Sequence, residues 1–159
     1  MKSIEERLTA LEDEAAIRNL AAAFADACMI ADYQAFEKLW SEKSKWTIHQ
    51  PVFSAAEGRP QIREMMHTLR ERKAFFVQFV HSGIIKVDGN KASARWIMQE
   101  AAEGPAEFYY DNYAVYMDTL EKHGDQWFFA SRDYHYMWLN THPFPGDVFD
   151  LPAEGTNGI

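Results

Sequence analysis

His81 is the side chain in this sequence best suited by type and setting to move a proton. It lies in Phe79-Val80-His81-Ser82-Gly83-Ile84-Ile85-Lys86-Val87-Asp88-Gly89-Asn90, a strand that ends in an Asp-Gly hairpin turn. Regular strand alternation puts His81, Gly83, Ile85 and Val87 on one face. An imidazole on an apolar cavity wall is a candidate general base, since its unperturbed pKa is roughly 6.5. The same placement suits a core histidine bonded to a backbone carbonyl. Proton transfer also needs a donor for developing charge and an apolar wall. Arg132, Tyr110, Tyr116, Asn112 and Trp46 have the right side chains for those tasks. A buried Arg132 requires a carboxylate, an anion or the mouth of a pocket. Tyrosine and tryptophan suit the wall, because their polar tips can be satisfied while their rings stay dry.

The elements that must carry these residues follow in order. Residues 3–31 read as a helix, with Ser3 and Glu6 forming a capping box. Ile4, Leu8 and Leu11 make one apolar stripe, and Ile17, Leu20, Ala21, Phe24 and Cys28 another. A short helix follows from Tyr33 to Leu39 or Trp40. Lys45 to Val52 alternates as a strand, with Trp46 and Ile48 on one face and Thr47 and His49 on the other. Glu57-Gly58-Arg59-Pro60 is a turn, and a third helix runs from Gln61 to about Arg72. Its last turn is cationic, as the helix dipole favours.

From Phe75 the chain reads as an antiparallel meander. Lys91 to Glu100 presents Ala92, Ala94, Trp96 and Met98 on one face. Glu107 to Leu120 presents Tyr110, Asn112, Ala114 and Tyr116. Gln126 to Leu139 is dense in aromatics, and if Arg132, Tyr134 and Tyr136 point inward, His135 points outward. Apolar side chains on both faces of several strands imply a sheet folded around a cavity. Residues 1–140 thus form one α+β domain, and 141–159, rich in proline and glycine, an irregular tail. Phe144, Val148, Phe149 and Leu151 suggest that part of the tail packs on something.

Composition narrows the partners. Sixteen Lys and Arg against 24 Asp and Glu give a formal charge of −8, which argues against nucleic acid. A single cysteine excludes an internal disulfide. The amphipathic, charged N-terminus and the lack of a long apolar run predict a cytoplasmic protein with no membrane span. No dinucleotide fingerprint, phosphate loop, HExxH or GxSxG occurs, so no cofactor and no metal are expected. His49 and His81 could converge across strands, but a third ligand is missing.

The ordered set of motifs resembles the SnoaL-like branch of the NTF2-like superfamily, from about Ile4 to Trp138. Leu11-Glu12-Asp13-Glu14-Ala15-Ala16-Ile17-Arg18-Asn19-Leu20 looks like the family's first helix, and Asp32-Tyr33 like the start of its second. Gly58-Arg59-Pro60-Gln61-Ile62-Arg63 looks like its third-helix entry, and Val87-Asp88-Gly89-Asn90-Lys91-Ala92 like its hairpin. The resemblance implies a cone-shaped α+β barrel. Three N-terminal helices would pack on a strongly curved, mostly antiparallel sheet around one pocket. It also implies a homodimer or higher homo-oligomer. Members include scytalone dehydratase and a hexachlorocyclohexane dehydrochlorinase. The activity implied is that of a cofactor-free lyase or isomerase acting on a small hydrophobic or cyclic molecule, with His81 as base.

The implied binding residues are Trp46, Phe24, Met29, Trp96, Tyr110, Asn112, Tyr116 and Arg132. Many members carry a Tyr and, five residues on, an Asp on the first helix; Phe24 and Met29 stand there. Asp26, which leaves the helix about 60° from Met29, is the candidate substitute partner for His81. The alternative is a small-ligand-binding or accessory subunit that has lost that pair.

Overall fold

The computed structural model describes residues 3–144 together with 146, 147 and 149. Helix α1 (Ile4–Ile30) opens on the expected capping box: the Ser3 side chain accepts from the Glu6 amide, and the Glu6 carboxylate accepts from the Ser3 amide. Its buried stripe includes Ile17, Leu20, Ala21, Phe24 and Cys28, whereas the first stripe, Ile4, Leu8 and Leu11, is exposed. Helix α2 (Tyr33–Lys38) is capped by Asp32, and strands β1 (Trp40–Ile48) and β2 (Ser54–Glu57) follow. Helix α3 (Arg59–Glu71) comes only after them. Of the three helices expected toward the N-terminus, two precede the sheet; α3 lies between β2 and β3, after a strand over residues 45–52 as the sequence order reads. The meander then runs through β3 (Phe75–Asp88), β4 (Lys91–Gly104), β5 (Phe108–His123) and β6 (Gln126–Asn140).

The six strands form one curved sheet in the order β2-β1-β6-β5-β4-β3. Strands β1 and β6 pair in parallel; the other pairs are antiparallel. The long strands carry register shifts where an extra residue is inserted on one side. Each such bulge bends its strand and reverses which alternate residues face inward. In β6, Trp127 and Phe129 face the core before one shift, and Arg132 and Tyr134 after it.

The bulge in β3 decides the fate of His81. Val80 pairs with Met98 and Gly83 with Trp96, so three steps on β3 match two on β4. The inner face therefore reads Phe76, Gln78 and Val80, then Gly83, Ile85 and Val87. Regular alternation back from Gly83 would have placed His81 inside, whereas the inserted residue leaves His81 and Ser82 exposed on the outer face. There His81 stacks on Phe79, with centroids 6.1 Å apart. Gly83 is required at this point because a Cβ would collide with the Trp96 ring.

The core lies between α1, α2, α3 and the inner face of the sheet. Phe24 is its hub, with Phe36, Trp40, Trp46, Tyr116 and Phe129 all within 6.0 Å between ring centroids. Asp13 ties α1 to the β5–β6 hairpin by accepting from Lys122 Nζ at 2.7 Å and Trp127 Nε1 at 2.8 Å. Burial alone would raise the Asp13 carboxyl, but those two donors outweigh it and hold the group below its ordinary value. In the tail, Phe144 packs on Tyr109 and Phe149 is exposed. Val148 and Leu151 lie outside the described residues. Among the described residues no helix is long and apolar enough to cross a membrane.

Candidate functional site

A cavity of about 410 Å³ opens between α1, α3 and the inner face of the sheet. That is within the range of small-ligand pockets, about 300–1,000 Å³. Its walls are mostly aromatic: Phe24 from α1, Trp46 from β1, Phe76 from β3, Tyr110 and Tyr116 from β5, and Tyr134 and Tyr136 from β6. Burial raises the pKa of all four tyrosines above the ordinary value, so their hydroxyls act as protonated donors and not as bases. Cys28 also lines the wall. Burial pushes its thiol up to about 12, which makes it a poor nucleophile.

The charged groups gather at one end. Gln78 on β3 stands directly opposite Glu100 on β4, and Glu100 directly opposite Asn112 on β5. This makes a polar row across the inner face of the sheet. Gln78 Nε2 donates to Glu100 Oε1, and the Tyr110 hydroxyl donates to Glu100 Oε2 at 3.4 Å. Asn112 accepts from the Tyr134 hydroxyl at 2.5 Å. Lys73, just past α3, lines the same cavity. Its Nζ lies 4.2 Å from the Phe76 ring centroid and 5.1 Å from that of Tyr110. Burial lowers the Lys73 pKa, and Glu100 pulls it back toward its ordinary value.

Arg70 holds this end in place. Its Nε donates to the Cys28 carbonyl at 3.1 Å, its Nη2 to the Met29 carbonyl at 3.2 Å, and its Nη1 to the Lys73 carbonyl at 2.7 Å. One guanidinium thus satisfies orphan carbonyls at the end of α1 and fixes the chain leaving α3. Gly104 lets the same turn pass close, since a Cβ there would strike the Arg72 carbonyl.

Behind the cavity lies a buried ion pair. Arg132 Nε donates to Asp118 Oδ1 at 2.9 Å and Nη2 to Oδ2 at 3.1 Å, both side chains being fully buried. Trp96 Nε1 donates to Asp118 Oδ2 at 2.8 Å. The guanidinium carbon is 4.0–4.2 Å from the ring centroids of Tyr116, Phe24 and Phe129. Burial pushes the Asp118 carboxyl up, against the pull of Arg132.

The sequence of the chain matches the SnoaL-like domain family over residues 9–133. The chain belongs to that family. None of the curated proteins matches its sequence. Among solved structures, it is similar to the hexachlorocyclohexane dehydrochlorinase LinA-type3 from Novosphingobium barchaimii, with a TM-score of 0.79 at 16% identity over 92% of this chain and 99% of that one. It is similar to a scytalone dehydratase-like protein from Novosphingobium aromaticivorans, with a TM-score of 0.76 at 16% identity over 86% and 92% of the two chains. It is also similar to an NTF2-like protein with a cystatin-like fold from Novosphingobium aromaticivorans, with a TM-score of 0.74 at 21% identity over 86% and 92%. Identities this low establish the shared fold alone.

Within this SnoaL-like domain, the residues singled out from sequence divide by position. Phe24, Trp46, Tyr110 and Tyr116 line the cavity together. Asn112 is buried one step behind, in the polar row. Arg132 and Trp96 do not reach the cavity; they act from beneath it, through Phe24, Tyr116 and Asp118. Met29 is half-buried outside the cavity and contributes its carbonyl to Arg70. Two assignments are corrected. His81 is on the outer face because of the β3 bulge. Asp26 is exposed, because α1 turns Ala25, Ala27 and Cys28 inward and leaves Asp26 on the solvent side. His49 does not approach His81 either; it stacks on His135 at 4.3 Å and contacts Asp133 at 3.0 Å.

Lys73, Gln78, Glu100 and Arg70 were not among the expected site residues of this SnoaL-like domain. A signal existed for Glu100: it continues the inward series Ala92, Ala94, Trp96 and Met98 by one more step. Gln78 is likewise the partner that pairing from that strand selects. Lys73 had no such signal, since it lies in a turn whose basic residues all suit a helix C-terminus.

Proposed function

We propose that this SnoaL-like domain is a cofactor-free enzyme that transfers a proton on a small, mainly apolar ring compound, as in a lyase or isomerase. The observation that carries this reading is the placement of the Glu100 carboxylate at the polar end of an aromatic cavity. Gln78 and Tyr110 hold it in one orientation. A positioned carboxylate is a competent general base, and tyrosine hydroxyls can stabilise the charge that develops. The neighbours named as a dehydrochlorinase and a scytalone dehydratase-like protein support the reaction class. The base assigned here is Glu100 and not His81. A second reading, a non-catalytic ligand-binding protein, is favoured by one observation: among the described residues no histidine lines the cavity.

The test is turnover of hydroxylated and halogenated ring compounds in deuterated water, read by mass spectrometry as elimination or deuterium uptake. Turnover by wild type is expected, and His81→Ala should retain it within about threefold, since surface substitutions away from a site are nearly neutral. Ligand binding without turnover selects the second reading. A His81→Ala variant that folds but has lost activity overturns the placement of the base.

We further propose that a second copy of this chain covers the outer face of the sheet. Phe79, Ile84, Ile97, Tyr113, Met117 and Trp138 are each 40–60% exposed. They lie on the outward side of β3 to β6, interspersed with polar residues such as Arg95 and Gln99, and exposed large apolar side chains on one sheet face suit an isologous interface. Light scattering at micromolar concentration should give a dimeric mass for wild type and a monomeric one for Ile97→Lys with Met117→Lys. A monomeric wild type refutes it.

A further inference from the structure

Resting on the proton-transfer reading, we propose that Lys73 is the anion-binding residue of the cavity and that the ligand is a ring compound with an acidic hydroxyl or an enolisable carbonyl. The cavity is shaped to hold such a compound as its conjugate base, with the ring among the aromatic walls and the charged oxygen at Lys73.

Three observations converge on this. First, Lys73 Nζ makes no hydrogen bond and no ion pair with any described residue, although Glu100 lines the same cavity. The nearest groups to its charge are rings, those of Phe76 and Tyr110. Lys73 is half-buried at the cavity wall, so its ammonium is offered to a ligand there without competition from a carboxylate bonded to it. Second, the backbone carrying Lys73 is braced by Arg70 and by the close passage of Gly104. A lysine that merely trailed into solvent would need no such brace. Third, Tyr110 stands between the two charges: its ring faces Lys73 and its hydroxyl bonds Glu100. A ligand oxygen at Lys73 therefore places neighbouring ring atoms toward Glu100.

The chemistry balances without a co-reactant. The ligand gives the proton of its O–H or of a carbon beside its carbonyl to the Glu100 carboxylate. The electron pair of the broken bond stays on the ligand as a phenolate or enolate, whose oxygen lies against the Lys73 ammonium. Return of the proton from Glu100, to the same atom or another, completes exchange or isomerisation. Departure of a leaving group with its bonding electron pair from the carbon adjacent to the enolate instead completes an elimination, and Glu100 then passes its proton to that departing group.

The probes are para-nitrophenol, whose two ionisation states absorb differently, and para-nitroanisole, which has the same ring and no acidic proton. Wild type should bind para-nitrophenolate at least about tenfold more tightly than para-nitroanisole, equivalent to about 1.4 kcal/mol. The absorbance should show the apparent pKa of the bound phenol lowered. Lys73→Met should erase that preference and leave para-nitroanisole binding unchanged; Lys73→Arg should retain it. Lys73→Gln serves the same comparison if the methionine variant does not fold. An unchanged preference in Lys73→Met or Lys73→Gln overturns the assignment. Binding of para-nitroanisole but not of para-nitrophenolate by wild type also overturns it and leaves the apolar-ring cavity standing. Failure of both probes to bind removes both.

Discussion

Arg132→Met is expected to destabilise the protein by about 3–5 kcal/mol at neutral pH, a large share of the roughly 5–15 kcal/mol that a domain has. The figure does not measure the worth of the ion pair. It is the cost of leaving Asp118 fully buried without its bidentate partner. The guanidinium is what draws the Asp118 pKa down; burial drives it up, and burial wins even with Arg132 present. Without Arg132 the carboxyl moves higher still. An acid whose folded-state pKa lies above its unfolded one contributes stability at low pH that is lost as pH rises through the folded value. The variant's deficit should therefore grow from acid toward neutral pH. Arg132→Met with Asp118→Asn should recover most of the loss, because asparagine keeps an acceptor for Trp96 and carries no charge. Urea denaturation of wild type, the single variant and the double variant at acid and neutral pH measures this. An equal deficit at both, with no recovery, would instead assign Arg132's role to its packing against Phe24, Tyr116 and Phe129.

The element order was legible because its signals are local. The Ser3–Glu6 cap, the apolar series on α1, the proline opening α3 and the Asp88-Gly89 turn each depend on residues a few positions apart. The inward series on β4 held along its whole length, because β4 carries no bulge of its own. The site was less legible because its placement depends on single insertions. One extra residue between Val80 and Gly83 moves His81 from the cavity to the outer face, and no composition signal marks it. Gly83 is the trace it leaves, required by the Trp96 ring and not by a turn. A buried Arg132 requires a carboxylate, an anion or the mouth of a pocket, and the fold supplies the first of these. Its partner is Asp118, fourteen residues earlier on the neighbouring strand, a pairing that only the register reveals. Lys73 was hidden for a different reason: a basic residue after a helix is explained without a site, and the Tyr110 ring beside it comes from β5, far along the chain.

Glu100→Gln is expected to lower turnover by about 10²–10⁴-fold, the range that a positioned general base contributes. The substitution is nearly isosteric. Its remaining oxygen can still accept from Gln78 or Tyr110, so the polar row and the fold should persist. The loss should therefore fall in kcat, with KM changed little, because the proton acceptor acts in the chemical step and the ring is held by the aromatic walls. Lys73→Met should show a different division, raising KM for an anionic ligand as well as lowering kcat. The two variants also separate in stability. Burial lowers the Lys73 pKa, so its ammonium is costlier in the folded than in the unfolded chain, and that cost fades as pH rises from the lowered value toward 10.5. Lys73→Met should accordingly raise the melting temperature at neutral pH by about 2–4 °C for each kcal/mol recovered. Glu100→Gln should leave it within about 1 kcal/mol of wild type, because it replaces one satisfied acceptor by another. Loss of activity with an intact melting transition and intact para-nitroanisole binding identifies Glu100 as the base. Loss of all three would show that its role is to hold Gln78 and Tyr110 in place, and the proton would then have to leave through another group on the cavity wall.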